Sequence, residues 1–180
     1  MKSESIKYKP VVKQNWTDFE NLFECKGAPS YCWCMAWRMT KEELKSNTSS
    51  NRKTFIKERV DKGIPIGLLF YNENDPIAWC SIAPRDTYQR LNGGDSIENI
   101  WSIACFYIKK DFRDKGLIHI MIQSAEKYAK ENGADFLEAY PVLPDSPSYR
   151  FMGFVKTFEK EGFEFVKMAG SRRHVMTKKI

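Results

Sequence analysis

The segment Ile100 to Ile108, IWSIACFYI, runs for nine residues without a charge. It therefore reads as a central strand, buried on both faces of a sheet. Through a short basic loop it passes directly into Leu117 to Lys130, where Leu117, Met121, Ala125 and Tyr128 recur at helical spacing and Ile118, Ile122 and Ala129 widen the stripe. A buried strand feeding a helix through so few residues brings unpaired N–H groups and the positive end of the helix to one place. Lys109, Lys110, Arg113 and Lys115 surround that point, with Gly116 at the turn into the helix. The junction suits a phosphate or pyrophosphate, and a solvated basic loop is the competing reading.

The rest of the chain supplies the partners of that strand. Ile66 to Tyr71 and Pro76 to Ala83 are apolar runs separated by Asn72-Glu73-Asn74-Asp75, a β-hairpin pattern. Ile6 to Lys13 is β-prone. Asn15 can cap a helix carrying Trp16, Phe19, Leu22 and Phe23 on one face, Thr40 to Glu43 fits a capping box, and Asn51 to Asp61 reads as a further helix before Gly63 and Pro65. After the polar stretch with Asn92 to Asp95 and the strand–helix unit, Phe136 to Val142 reads as a strand, Tyr149 to Glu161 as a helix, and Phe163 to Met168 with His174 to Met176 as a final strand pair. With 180 residues, no repeat and no linker, residues 1–180 are expected to form one domain.

The charge of +6 favours anionic partners of any kind. Nucleic acid is disfavoured, because the basic residues are interleaved with acids and no recognition motif is present. No stretch is long and apolar enough for a membrane span, the N-terminus lacks the apolar core of a signal peptide, and the five cysteines form no disulfide framework. These features point to the cytoplasm. Cys25, Cys32 and Cys34 could ligate zinc, but Cys-x-Cys is not the common knuckle spacing and no His is close, so buried thiols are the competing reading and no metal is expected.

Taken together, the sequence resembles the GNAT superfamily of acyl-CoA-dependent N-acetyltransferases. Arg113-Asp114-Lys115-Gly116-Leu117-Ile118 is similar to that family's Arg/Gln-x-x-Gly-x-Gly/Ala loop, with Ile118 where a small residue is usual. Phe158 to Phe163, FEKEGF, looks like its Tyr-x-x-x-Gly-Phe segment, with Phe158 in place of the tyrosine. The resemblance covers the chain from Ile66 onward. It implies an α/β (α+β) fold, a single domain whose central, mixed but mostly antiparallel twisted sheet is flanked by helices and whose central parallel strands splay apart.

It also implies a function, transfer of an acetyl group from acetyl-CoA to a primary amine of a small molecule or peptide by direct attack in a ternary complex. The backbone of Phe106, Tyr107 and Ile108 would pair with pantetheine, and Arg113, Asp114, Lys115, Gly116, Leu117 and Ile118 would hold the pyrophosphate, with Ser148 and Phe158 alongside. Phe158 has no proton for the departing thiolate, so Tyr149, Tyr140 or Ser148 is the substitute donor, or the thiolate leaves unassisted. Glu138 is the candidate base, on the same strand face as Tyr140, with Glu98 in reserve. Tyr31, Trp33, Trp37, Arg38 and Tyr140 are expected to shape the acceptor site. The partners are acetyl-CoA and an amine, with a homodimer open. The competing functions are a CoA-binding module without catalysis, a cysteine-based metal or redox module, and a nucleic-acid-binding domain.

Overall fold

The computed structural model describes residues 6–94 and 97–180. Met1 to Ser5, and Asp95 from the Asn92 to Asp95 stretch, lie outside the described residues. Among the described residues seven strands form one sheet: β1 (Ile6–Pro10), β2 (Leu68–Asn72), β3 (Asp75–Pro84), β4 (Ile100–Ile108), β5 (Phe136–Ala139), β6 (Glu164–Ala169) and β7 (Arg173–Lys179). Their order across the sheet is β1-β2-β3-β4-β5-β7-β6. Only β4 and β5 run parallel, and the other neighbours are antiparallel. The helices are α1 (Trp16–Glu24), α2 (Ser49–Asp61), α3 (Leu117–Glu131) and α4 (Val155–Lys160).

Period-two alternation sorts the strand residues onto two faces. Leu68, Phe70, Ala78, Cys80, Ile82 and Phe106 pack with the apolar stripe of α3 and with Phe158 of α4. Leu69, Tyr71, Trp79 and Tyr107 pack with Phe19 and Phe23 of α1 and Ile56 of α2. Each fully buried aromatic or aliphatic side chain contributes about 1.5–3 kcal/mol. This two-sided burial is why β3 and β4 read as continuous apolar runs.

Three boundaries differ from the sequence reading, each for a physical reason. The segment from Tyr149 to Glu161 is not one helix but a 3-10 turn (Arg150–Met152) followed by α4, because Gly153 adopts φ 87° and Phe154 is extended. The strand expected through Val142 stops at Ala139; Tyr140 and Pro141 follow, and Val142 instead bridges Phe154. At Thr40 the capping box forms, with the Thr40 amide donating to Glu43 at 2.8 Å and the Glu43 amide to Thr40 Oγ1 at 3.2 Å, yet only a 3-10 turn (Glu43–Ser46) follows.

The early end of β5 positions the site. The β4–β5 pairing ends at Ile103 opposite Ala139, so Ala104 to Ile108 carries no strand partner on that side. On the other side, the register with β3 shifts between Ser81 and Ile82, leaving Ala104 as the extra residue of a bulge. The expected splay between the parallel strands is therefore present.

Candidate active site

A cleft of about 620 Å³ opens along the unpaired half of β4. Its walls are Phe106, Tyr107 and Ile108 of β4, residues Arg113 to Ile118 at the start of α3 apart from Lys115, and the turn that carries Arg150, Phe151, Gly153 and Phe154. Asp114 (φ 57°) and Gly116 (φ 74°) are both left-handed, which turns successive amides toward a common concavity. The amides that follow, at Leu117 and Ile118, precede the first intrahelical bond of α3. The arrangement is an anion cradle at the positive end of a 15-residue helix. A side chain at Gly116 would meet no atom within 4 Å, so glycine is required there by its backbone angle and not by space.

The basic residues around the cradle are not equivalent. Lys109 Nζ is engaged by Asp75 at 2.8 Å, and Lys115 Nζ folds back to donate to the Asp111 carbonyl at 2.6 Å. Arg113 lines the cleft, its Nε donating to the Ile108 carbonyl at 2.9 Å and its position exposed. His119 pairs with Glu161 at 2.6 Å and stands apart from the chemistry.

A second pocket of about 240 Å³ meets the first at Phe106, Tyr107, Arg113 and Phe151. It is roofed by Gly27, Ala28, Pro29 and Tyr31 and floored by Cys32, Cys34 and Cys105. Of the residues expected to shape an acceptor site, Tyr31 lines it and is 67% exposed. Trp33 instead stacks on Phe23 at 5.5 Å in the core, and Arg38 and Tyr140 are fully buried. Trp37 packs against Tyr149 at 5.8 Å, beneath the Arg173 guanidinium at 4.4 Å. The expectation that these four line an acceptor site is corrected, because each spends its surface on internal packing.

The carboxylates expected to act as bases are placed differently again. Glu138 is fully buried and its two oxygens receive five donors: Arg85 Nε at 3.0 Å and Nη2 at 2.6 Å, the Gly94 amide at 3.0 Å, Ser102 Oγ at 3.1 Å and the Tyr140 hydroxyl. Burial, then the Glu138 charge, pushes the Tyr140 phenol far above its ordinary range. The shared strand face of the two residues thus makes an internal hydrogen-bonded node. A carboxylate so saturated has no lone pair to offer an amine, and the role of Glu138 as base is set aside on that ground. Glu98 is exposed in the turn before β4. Five strand residues, Ile100 to Ala104, about 17 Å of β4, lie between it and Cys105, and it lines neither cavity.

Phe158 is fully buried against Phe106 at 6.2 Å and Phe163 at 5.0 Å, and Ser148 does not line the cleft, its hydroxyl accepting from Arg172 at 3.1 Å. Tyr149 is half-buried at the foot of the turn that closes the cleft, with Phe151 at 6.3 Å and the Arg173 guanidinium at 5.6 Å. The sequence carried a signal for this turn that the reading missed. Tyr149-Arg150-Phe151-Met152-Gly153-Phe154 spells Tyr-x-x-x-Gly-Phe a second time, with a tyrosine in the first place. Among the described residues no group of three His, Cys, Asp or Glu side chains could hold a metal ion, and no helix is long and apolar enough to cross a membrane.

Residues 16–154 match the profile of the acetyltransferase (GNAT) family. No curated protein sequence matches the chain. Solved structures with the same fold include the PaiA N-acetyltransferase of Thermoplasma acidophilum in complex with coenzyme A, 19% identical, covering 98% of this chain and 99% of that one at a TM-score of 0.57. The ribosomal-protein-alanine N-acetyltransferase of Brucella melitensis is 14% identical over 97% of this chain and 99% of that one, with a TM-score of 0.58. YncA of Salmonella typhimurium, a putative acetyltransferase with its cofactor acetyl-CoA, is 13% identical over 97% and 94%, at 0.53.

Proposed function

The chain belongs to the acetyltransferase (GNAT) family, and from that premise we propose that it transfers the acetyl group of acetyl-CoA to a primary amine by direct attack in a ternary complex. The observation that carries the proposal is the cleft itself, where an unpaired strand edge at Ala104 to Ile108 leads to an amide cradle at a helix N-terminus. A pantetheine arm adds to the strand edge and the pyrophosphate takes the cradle. The neighbours bound to coenzyme A and to acetyl-CoA support the same cofactor.

Within this reading the thioester carbonyl lies at the Ala104 bulge, and the Ala104 amide is the candidate donor to the developing oxyanion. The amine enters from the second pocket. No carboxylate lines that pocket among the described residues, so the amine gives its proton to solvent. The candidate donor to the departing thiolate is Tyr149, a half-buried tyrosine that immediately precedes the cleft walls Arg150 and Phe151. The protein's locality in the cytoplasm and the acceptor's class, small amine or peptide N-terminus, belong to the proposal.

Acetyl-CoA titrated into the protein in a calorimeter, followed by thiol release over a panel of small amines and peptide N-termini, tests this function. Binding heat with turnover on one acceptor class supports it, and absence of binding at millimolar ligand overturns it. Arg113→Glu is expected to weaken acetyl-CoA binding roughly tenfold, about 1.4 kcal/mol, with the deficit shrinking at high salt. Tyr149→Phe is expected to lower kcat about 100-fold with KM unchanged, while thermal melting stays within about 0.5 kcal/mol of the parent.

A further inference from the structure

The floor of the second pocket holds chemistry that direct transfer to an amine does not use. Cys34 Sγ receives the Trp79 Nε1–H at 3.1 Å. An indole N–H only donates, so the sulfur is the acceptor. Cys105 and Ser81 stand beside the same sulfur and favour its charged form. An indole N–H aimed at a sulfur on a pocket floor favours the thiolate over the thiol.

A cation completes the environment. Arg38 is fully buried and its hydrogen bonds end on neutral acceptors: the Ile66 carbonyl at 2.8 Å, Ser81 Oγ at 3.0 Å, Tyr88 OH at 2.7 Å and Thr87 Oγ1 at 3.2 Å. Its Nε has no partner, and among the described residues no carboxylate forms an ion pair with it. A buried guanidinium without a counter-anion is costly, and a charged Cys34 answers it. The neighbouring Cys105, opposed by burial and aided by Trp79 and Arg38, brings the Cys34 thiol down to about 7. The surrounding groups move the other way: the neighbouring Cys34 raises Cys105, and burial raises Cys32, Cys80 and Tyr88.

The backbone commits to this placement as well. Trp33 (φ 47°) and Cys34 (φ 54°) are consecutive left-handed residues, a conformation that side-chain-bearing residues rarely adopt, and together they turn Trp33 into the core and Cys34 to the pocket floor. The floor adjoins the proposed acyl position, since Cys105 lies one residue beyond the Ala104 bulge and the two cavities share four walls.

Resting on the reading of the cleft as an acyl-CoA site, we propose that Cys34 is an S-acylation site of this protein, its sulfur attacking the thioester carbonyl of bound acetyl-CoA. The bond from Cys34 Sγ to the acyl carbon forms and the bond from that carbon to the CoA sulfur breaks. The electron pair leaves on CoA, which takes up the proton that Cys34 released to solvent. One thioester replaces another, and no oxidant or metal enters.

The protein is incubated with acetyl-CoA in the absence of any amine, quenched in acid, and read by intact mass and peptide mapping, with binding followed by calorimetry on the same sample. The expected result is one acetyl group on Cys34, removed by neutral hydroxylamine, absent in Cys34→Ser and retained in Cys32→Ser. Binding heat without an adduct, or an adduct that maps to another cysteine or to lysine, overturns this proposal alone. Absence of binding heat overturns the cofactor reading and this one with it. Iodoacetamide at pH 7 without acetyl-CoA provides a check independent of the cofactor. Cys34 is expected to alkylate at least tenfold faster than Cys105, and equal or slower labelling refutes the activated sulfur.

Discussion

Glu138→Ala is expected to cost about 3–5 kcal/mol of folding stability, the range for removing one partner of a buried charge pair. The reason lies in what remains behind. Arg85, Ser102, Tyr140 and the Gly94 amide all aim at the missing carboxylate. Without it, a largely buried guanidinium and a buried phenol lose their acceptor in a space that closes around them, since a side chain at Gly93 would already come within 2.4 Å of the Tyr140 hydroxyl. Urea unfolding of the variant measures the loss. Glu138→Gln separates this role from a base. A base would leave melting unchanged and lower kcat by about 100-fold or more, whereas a structural node loses stability in the glutamine variant too and the folded fraction keeps its kcat.

The second large effect is expected at Gly67, where Gly67→Ala should cost about 3–5 kcal/mol through overpacking added to backbone strain. Its φ is 149°, and a Cβ there would stand 2.2 Å from the Cys80 carbonyl oxygen and 2.6 Å from the Trp79 ring. The carbonyl belongs to the β2–β3 ladder and cannot retreat alone. The indole can, but it is the group that donates to Cys34 and packs edge-on against Phe19 at 4.8 Å. Thermal melting reports the stability loss. If the variant folds, the iodoacetamide rate at Cys34 should fall several-fold relative to the parent, because the displaced indole no longer supports the thiolate. A melting temperature within a degree or two of the parent contradicts the packing described.

The local features behave as local physics requires. Helical spacing at Leu117 to Tyr128 and the capping box at Thr40 formed from residues close in sequence, and the apolar run at Ile100 became the central strand because no charge interrupted it. In the segment Tyr149 to Glu161 local information misled, and a single backbone angle was responsible. Tyr149 to Glu161 has helical apolar spacing, yet Gly153 at φ 87° breaks it into two pieces and sets Phe151 and Phe154 as cleft walls. Spacing reports which face is apolar but carries no information on whether one glycine will leave the helical region.

The candidate site divides along the same line. The sequence by itself determined the strand, the loop and the helix start that make an anion cradle, because each depends on neighbours within a few residues. It also determined that the charge excess would gather there, though the folded chain engages Lys109 and Lys115 elsewhere and leaves Arg113 at the cleft. Only the tertiary structure decided between Glu138 as a base and Glu138 as a node, since its donors Arg85 and Gly94 come from a separate stretch of chain. The same holds for Cys34, whose environment is assembled from Arg38, Trp79, Ser81 and Cys105. The chemistry of a carboxylate or a thiol is set by which donors and charges surround it and by how little water reaches it, and those are properties of packing that residue spacing does not encode.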